Sequence, residues 1–160
     1  MHDHVDRRRC EGDTRMAYWI FKCNLDHYEL EDRLSDPIPI ITWRVVRYRK
    51  KIDLNDTVFI WEVGANARIS AVLRVDCPPQ VMPELQTEQW FNMPRDTEVK
   101  PRVLATILHR HVNLPAARLK KVQGLQDLCV FRPPWQGTNF PVTDAQGQII
   151  DDLIAQRRSC

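Results

Sequence analysis

Apolar and polar residues alternate along Tyr18 to Asn24, YWIFKCN, with Trp19, Phe21 and Cys23 on one face and Tyr18, Ile20, Lys22 and Asn24 on the other. That is the period of a β-strand. Thr57 to Val63 is apolar on both faces, which predicts a central strand. Gly64-Ala65-Asn66 turns it into Ile69 to Val75, where Ile69, Ala71, Leu73 and Val75 alternate, so the two segments predict an antiparallel hairpin. Val99 to Val112 resumes alternation at Val103, Ala105 and Ile107, and Leu125 to Phe131 reads as one more short strand. The stretch from Cys77 to Pro94 holds four prolines with Trp90 and Phe91, and reads as a long irregular connection.

Helical patterning is confined to three places. A short helix around Tyr28 to Leu34 ends at the Asp36-Pro37 and Ile38-Pro39 breaks, and Pro115 to Val122 starts with proline at an early helical position. The clearest helix follows Thr143, which pairs with Gln146 as a capping box and leads into an apolar stripe of Ile149, Ile150, Leu153 and Ile154. That stripe must pack on a sheet. The order of elements predicts an α+β fold with a mixed, barrel-like sheet.

Residues 1 to 15 contain almost nothing that enters a core and are expected to form a disordered tail, with Met16 a candidate start of the natural protein. Residues 16 to 157 then make a single domain. The five cysteines are odd in number and share no short ligand spacing, which fits a reducing cytoplasm better than a disulfide framework or a zinc ribbon. No apolar run approaches the roughly 20 residues of a membrane span, so no membrane association is expected.

The formal net charge is only +2, but its distribution is uneven. Residues 26 to 36 are mostly acidic. Arg44, Arg47, Arg49, Lys50 and Lys51 then occur with no acid until Asp53, and Arg118, Lys120 and Lys121 form a second, smaller cluster. The larger run is bracketed by Trp43 and Trp61. Strand tryptophans such as Trp19 and Trp61 suit a core, whereas Trp43 beside so many cations and Trp90 in a proline-rich connection suit it less. A flat aromatic surface flanked by cations is what a protein needs to hold an extruded nucleobase while neutralising its phosphates.

Catalytic chemistry is not encoded in any recognisable motif. There is no GxSxG elbow, phosphate-binding glycine loop or HExxH helix, and only five glycines in all. His109 and His111, two apart on a predicted strand, are two ligands short of a metal site, and Asp151 with Asp152 reads as a solvated helix face. No catalytic residue, metal or cofactor is therefore expected.

The segments YWIFKCN, ITWRVVRYRKKIDLNDTVFIWEV, ISAVLRV and FRPPWQGTNFPVTDAQGQIIDDL resemble, in order and spacing, an EVE domain of the PUA-like superfamily, over about Met16 to Gln156. The resemblance implies a PUA-like pseudo-barrel of mixed, mostly antiparallel strands with helices packed outside, and a cleft for a nucleobase that is often chemically modified. EVE domains are related to YTH domains, which read methylated adenine in RNA through an aromatic cage. Lys22-Cys23-Asn24 is similar to the Lys-Ser-Asn of YTH domains, Trp43 falls at their first cage tryptophan, and Trp90 matches a later one more loosely. The chain departs from the family at Arg68 and Asn55, where glycine is usual.

The expected base-binding residues are thus Trp43, Trp90, Trp61, Phe21, Asn24 and Lys22, with Arg44, Arg47, Arg49, Lys50 and Lys51 on the phosphates. The expected partner is nucleic acid with a modified base, DNA favoured and RNA the alternative. The resemblance also implies association with restriction or defence proteins. A rival reading is an accessory protein-interaction domain with a vestigial pocket.

Overall fold

The computed structural model describes residues 16–25, 28–85, 98–132 and 137–158. The chain runs β1 (Tyr18–Cys23), α1 (Leu30–Ser35), β2 (Ile40–Arg44), β3 (Thr57–Glu62), β4 (Arg68–Met82), β5 (Lys100–His109), β6 (Leu114–Pro115), α2 (Ala116–Leu119), a 3-10 turn (Cys129–Phe131), β7 (Asn139–Val142) and α3 (Asp144–Arg158). The sheet order is β2-β5-β4-β3-β1-β7, with β6 on β4. Among the described strands only β1 and β3 run parallel, and the predicted β3–β4 hairpin is antiparallel. The expectation for Trp90 lies outside the described residues.

Both faces of the central strands are covered, which is why their sequences lack a polar side. Trp19, Phe21, Val58, Ile60, Leu73 and Val103 belong to a core on the inner face, closed at one end by Leu30 and Leu34 of α1. Ile20, Phe59, Trp61, Ile69, Leu119, Ile150 and Ile154 form a second core on the outer face. The α3 stripe packs there, and the predicted capping box is formed: Gln146 N donates to Thr143 Oγ1 at 3.1 Å and Thr143 N to Gln146 Oε1 at 3.3 Å.

The sheet does not close through its backbone. β2 and β7 are its two ends, and the side chain of Asn139 bridges them. Asn139 Nδ2 donates to the Arg44 carbonyl at 3.2 Å, while its Oδ1 accepts from Val46 N at 2.8 Å and Arg47 N at 3.3 Å. Asn139 is buried at 1% exposure, so these bonds form away from water, where an unpaired partner is costly. One amide side chain thus takes the place of a strand ladder.

Three sequence expectations are corrected. β4 continues through Pro78 and Pro79 to Met82, into the stretch read as irregular. Its pairing with β5 jumps from Cys77–Leu104 to Gln80–Arg102, so the prolines occupy an irregular step where no ladder bond requires their missing N–H. Residues 125–131 form turns instead of a strand: Leu128 N bonds to the Leu125 carbonyl and Phe131 N to the Leu128 carbonyl, both at three-residue spacing. β5 also stops at His109, because His111 and Asn113 adopt positive φ.

A glycine in α3 yields a sign-reversed prediction. Gly→Ala in a helix ordinarily stabilises by about 1 kcal/mol. At Gly147, however, an added Cβ falls 2.1 Å from Tyr18 Cγ, and the Tyr18 ring is stacked at 5.9 Å on Phe59. Gly147→Ala should therefore destabilise the protein by about 1 to 3 kcal/mol, measured by chemical denaturation.

Candidate functional site

β1 and β3 end together, and their parallel register sets Lys22 beside Trp61 on the outer face. A cavity of about 580 Å³ opens there, lined chiefly by Lys22, Asn24, Trp61, Lys120, Phe131 and Thr138. That volume lies within the range of small-molecule pockets. Trp61 is 4% exposed and packs edge-on against Phe131, with ring centroids 5.8 Å apart. Lys120 Nζ lies 5.2 Å from the Phe131 centroid and Lys22 Nζ 4.7 Å from that of Phe140. Aromatic faces and cations alternate around the mouth, the arrangement a stacked base with a flanking phosphate requires.

Burial lowers the pKa of Lys22 from its ordinary value. Burial also pushes the nearby Cys129 thiol up to about 11, so it is protonated at neutral pH and supplies no thiolate nucleophile. The cavity offers donors and ring surfaces.

The basic run sits close by, and Asn139 is the reason. Thr138 lines the cavity and its carbonyl accepts from Lys22 N at 2.8 Å, while the next residue, Asn139, holds the backbone of Arg44 to Arg47. Arg44, Arg47, Arg49, Lys50 and Lys51 are all exposed, and none is ion-paired with a described residue. Val45 and Tyr48 in this run turn inward; Tyr48 does so at φ 63°, and its ring packs at 5.3 Å on Trp19. Asp56 anchors the other end of the segment. It is wholly buried and accepts from Trp19 Nε1 at 2.9 Å, Ala17 N at 3.1 Å and Asp53 N at 2.9 Å. Asn55, before it, takes the left-handed conformation at φ 68° that asparagine tolerates in place of glycine.

Of the six residues expected to bind a base, the fold gathers Lys22, Asn24 and Trp61 in one cavity. Phe21 is fully buried in the inner core, on the opposite face of β1 from Lys22, and does not wall that cavity. Strand alternation forbids the pairing: Phe21 and Trp61 face opposite sides of one sheet. Trp43 is half-buried on the inner face, with the Tyr28 ring edge-on at 5.6 Å. In the sequence Phe131 reads as the end of a strand and Lys120 as part of a minor basic cluster. They reach the cavity from the 3-10 turn and from the residue after α2, and no spacing in the sequence signals that convergence.

His109 and His111 do not share a site. His109 lines an outer-face cavity with Asp151, whereas His111 follows the end of β5 and pairs with Glu31 at 3.3 Å. Among the described residues no group of three His, Cys, Asp or Glu is placed to hold a metal ion. Arg68 does not add free charge, since its Nε lies 2.6 Å from Glu62 Oε2. No described helix is long and apolar enough to cross a membrane.

An open mixed sheet, parallel only at β1 and β3, with helices outside and a cavity at the shared ends of those strands defines an α+β protein of the PUA-like class. Within that class the chain belongs to the EVE domain family, whose model matches residues 17–153. None of the functionally curated proteins matches it. Among solved structures it is similar to a Pseudomonas putida protein at 19% identity, TM-score 0.62, covering 86% of this chain and 99% of that one. A Leishmania major protein is similar at 14% identity and TM-score 0.64, covering 90% and 98%. Human THYN1, solved in complex with 5-methylcytosine containing DNA, is similar at 14% identity and TM-score 0.57, covering 86% and 97%.

Proposed function

We propose that this chain is a non-enzymatic module that binds nucleic acid carrying a modified base, DNA in the first instance. The base enters the cavity between Trp61 and Phe131, and Asn24 hydrogen-bonds its edge. Lys22, Lys120 and the exposed run of Arg44, Arg47, Arg49, Lys50 and Lys51 neutralise the phosphates. Trp43, half-exposed beside Arg44, offers a stacking surface to a neighbouring base. The observation that carries this reading is the Thr138-Asn139 step, which ties an aromatic cavity to an unpaired basic ridge. Membership of the EVE family supports it, as does the methylcytosine DNA bound to human THYN1. A protonated Cys129 and the lack of a motif for acid, base or nucleophile support binding over catalysis. The unpaired spacing of the cysteines supports a reducing, cytoplasmic setting.

Fluorescence anisotropy with matched oligonucleotides tests the proposal. The chain should prefer 5-methylcytosine DNA over the unmodified strand, and an RNA arm decides between the two nucleic acids. Phe131→Ala removes one ring, worth roughly 1 to 3 kcal/mol of stacking, so discrimination should fall about tenfold while weak salt-sensitive binding survives. Arg44→Gln with Arg47→Gln should instead weaken both strands alike and make the salt slope shallower by about 1 to 2 units. Equal binding of modified and unmodified strands by the parent protein, across other modified bases as well, would sink the base-reading half of the proposal.

A further inference from the structure

A second cavity, of about 540 Å³, lies on the Cys23 side of the sheet, away from Lys22 and Trp61. Its floor exists because the β3–β4 pairing skips a residue: Ile60 pairs with Ala71 and Trp61 with Ile69, leaving Ser70 as the extra residue of a bulge. Ser70 is 4% exposed, and its Oγ has no hydrogen-bond partner among the described residues. Beside it, Glu62 is also 4% exposed. Its Oε2 is bound by Arg68 Nε at 2.6 Å, and Arg68 Nη1 donates to Asn113 Oδ1 at 3.2 Å. Leu25 and Leu34 supply an apolar wall, and Glu31 with His111 stands at the rim.

A buried hydroxyl without a partner costs stability, and such a group in a native protein calls for an explanation. The cavity holds two carboxylates, Glu31 and Glu62, against one permanent cation, Arg68, so it disfavours anions. Three donors and no acceptor on a compact cation match the acceptors that line it, the Glu62 carboxylate and the Ser70 lone pairs. We infer that this cavity binds a primary alkylammonium group, its nitrogen at Glu62 and Ser70 and its methylene stem along Leu25 and Leu34. A free alkylamine and a lysine side chain of a peptide share this chemistry. The site is independent of the Lys22 cavity and of what that cavity binds.

Amide ¹H–¹⁵N spectra of the full chain, titrated with butylammonium chloride, test it, and N-acetyl-lysine methylamide in a second arm distinguishes a side chain from a free amine. The amides of Glu62, Ser70 and Val112, whose N–H donates to the Ser70 carbonyl, should shift saturably, whereas n-butanol should leave them in place. Glu62→Gln should weaken binding at least tenfold, because the neutral amide loses the charge attraction. Ser70→Ala separates binding from folding: its Tm should rise by about 2 to 4 °C as the unpaired hydroxyl is removed, while affinity for butylammonium falls about fivefold. Should Glu62→Gln fail to fold, Ser70→Ala decides alone. No saturable shift with either amine, or unchanged affinity in a folded variant, overturns the inference.

Discussion

Replacing Asp56 with alanine should cost about 3 to 5 kcal/mol of folding stability, the largest loss expected from one substitution outside the apolar core. The carboxylate is wholly buried and serves three donors from different parts of the chain: the Trp19 indole, the Ala17 amide and the Asp53 amide. Its backbone carbonyl also receives Val75 N at 2.9 Å, so the turn before β3 is tied to β1 and β4 together. Alanine keeps the backbone bond and abandons all three side-chain bonds. The indole N–H then stays buried without a partner, the costly case for a polar group. Asp56→Asn retains one acceptor oxygen and should lose roughly half as much. Urea denaturation followed by tryptophan fluorescence measures both; a loss below about 1 kcal/mol for alanine would mean that water replaces the carboxylate and that the turn is not pinned as described.

Asn139→Ala should act on stability and binding at once. Three bonds across the open seam are lost, two of them to backbone amides, and about 2 to 4 kcal/mol should go with them. Because these bonds tie the backbone of Arg44 to Arg47 to the residue after Thr138, affinity for nucleic acid should fall beyond what unfolding explains, measured where the variant is still folded. Asn139→Asp is the sharper probe. It keeps the oxygen that accepts from Val46 and Arg47 but puts a negative charge facing the Arg44 carbonyl in place of a donor. Its stability should recover part of the loss, while salt-sensitive binding stays weak. If Asn139→Ala binds as tightly as the parent, the basic ridge is held by other contacts and the link between seam and site fails.

The strands β1, β3 and β5 and the helix α3 are legible in the chain because each follows from periodicity and local turn chemistry. Alternation at Trp19, Phe21 and Cys23, the two-faced apolar run at Thr57 to Glu62, and the Thr143–Gln146 box are all readable within a window of a few residues. The GTNF segment that positions Thr138 and Asn139 belongs to the family resemblance, and Lys22, Asn24 and Trp61, grouped from the sequence, line one cavity. What failed locally failed for identifiable reasons. Two prolines were read as the end of a strand when an irregular pairing step accommodates them, and buried Leu125 and Leu128 were read as strand residues when their spacing of three belongs to a turn.

The side of the sheet on which each aromatic lies is a different kind of fact. Phe21 and Trp61 are both apolar strand residues, and nothing in their sequence neighbourhoods separates them. Only the parallel register of β1 on β3 turns Trp61 toward Lys22 and sends Phe21 into the opposite core. Phe131 and Lys120 reach the same cavity through residues some 60 or more positions beyond Trp61, and Asn139 reaches Arg44 across 95 residues. Sequence by itself determined the strands β1, β3 and β5, where the last helix begins and where the positive charge is concentrated, since those properties depend on near neighbours and on side-chain polarity. The pairing of faces, the Asn139 seam and the cavity were decided by tertiary structure alone, because each depends on contacts between distant segments that have no partner until the sheet has assembled.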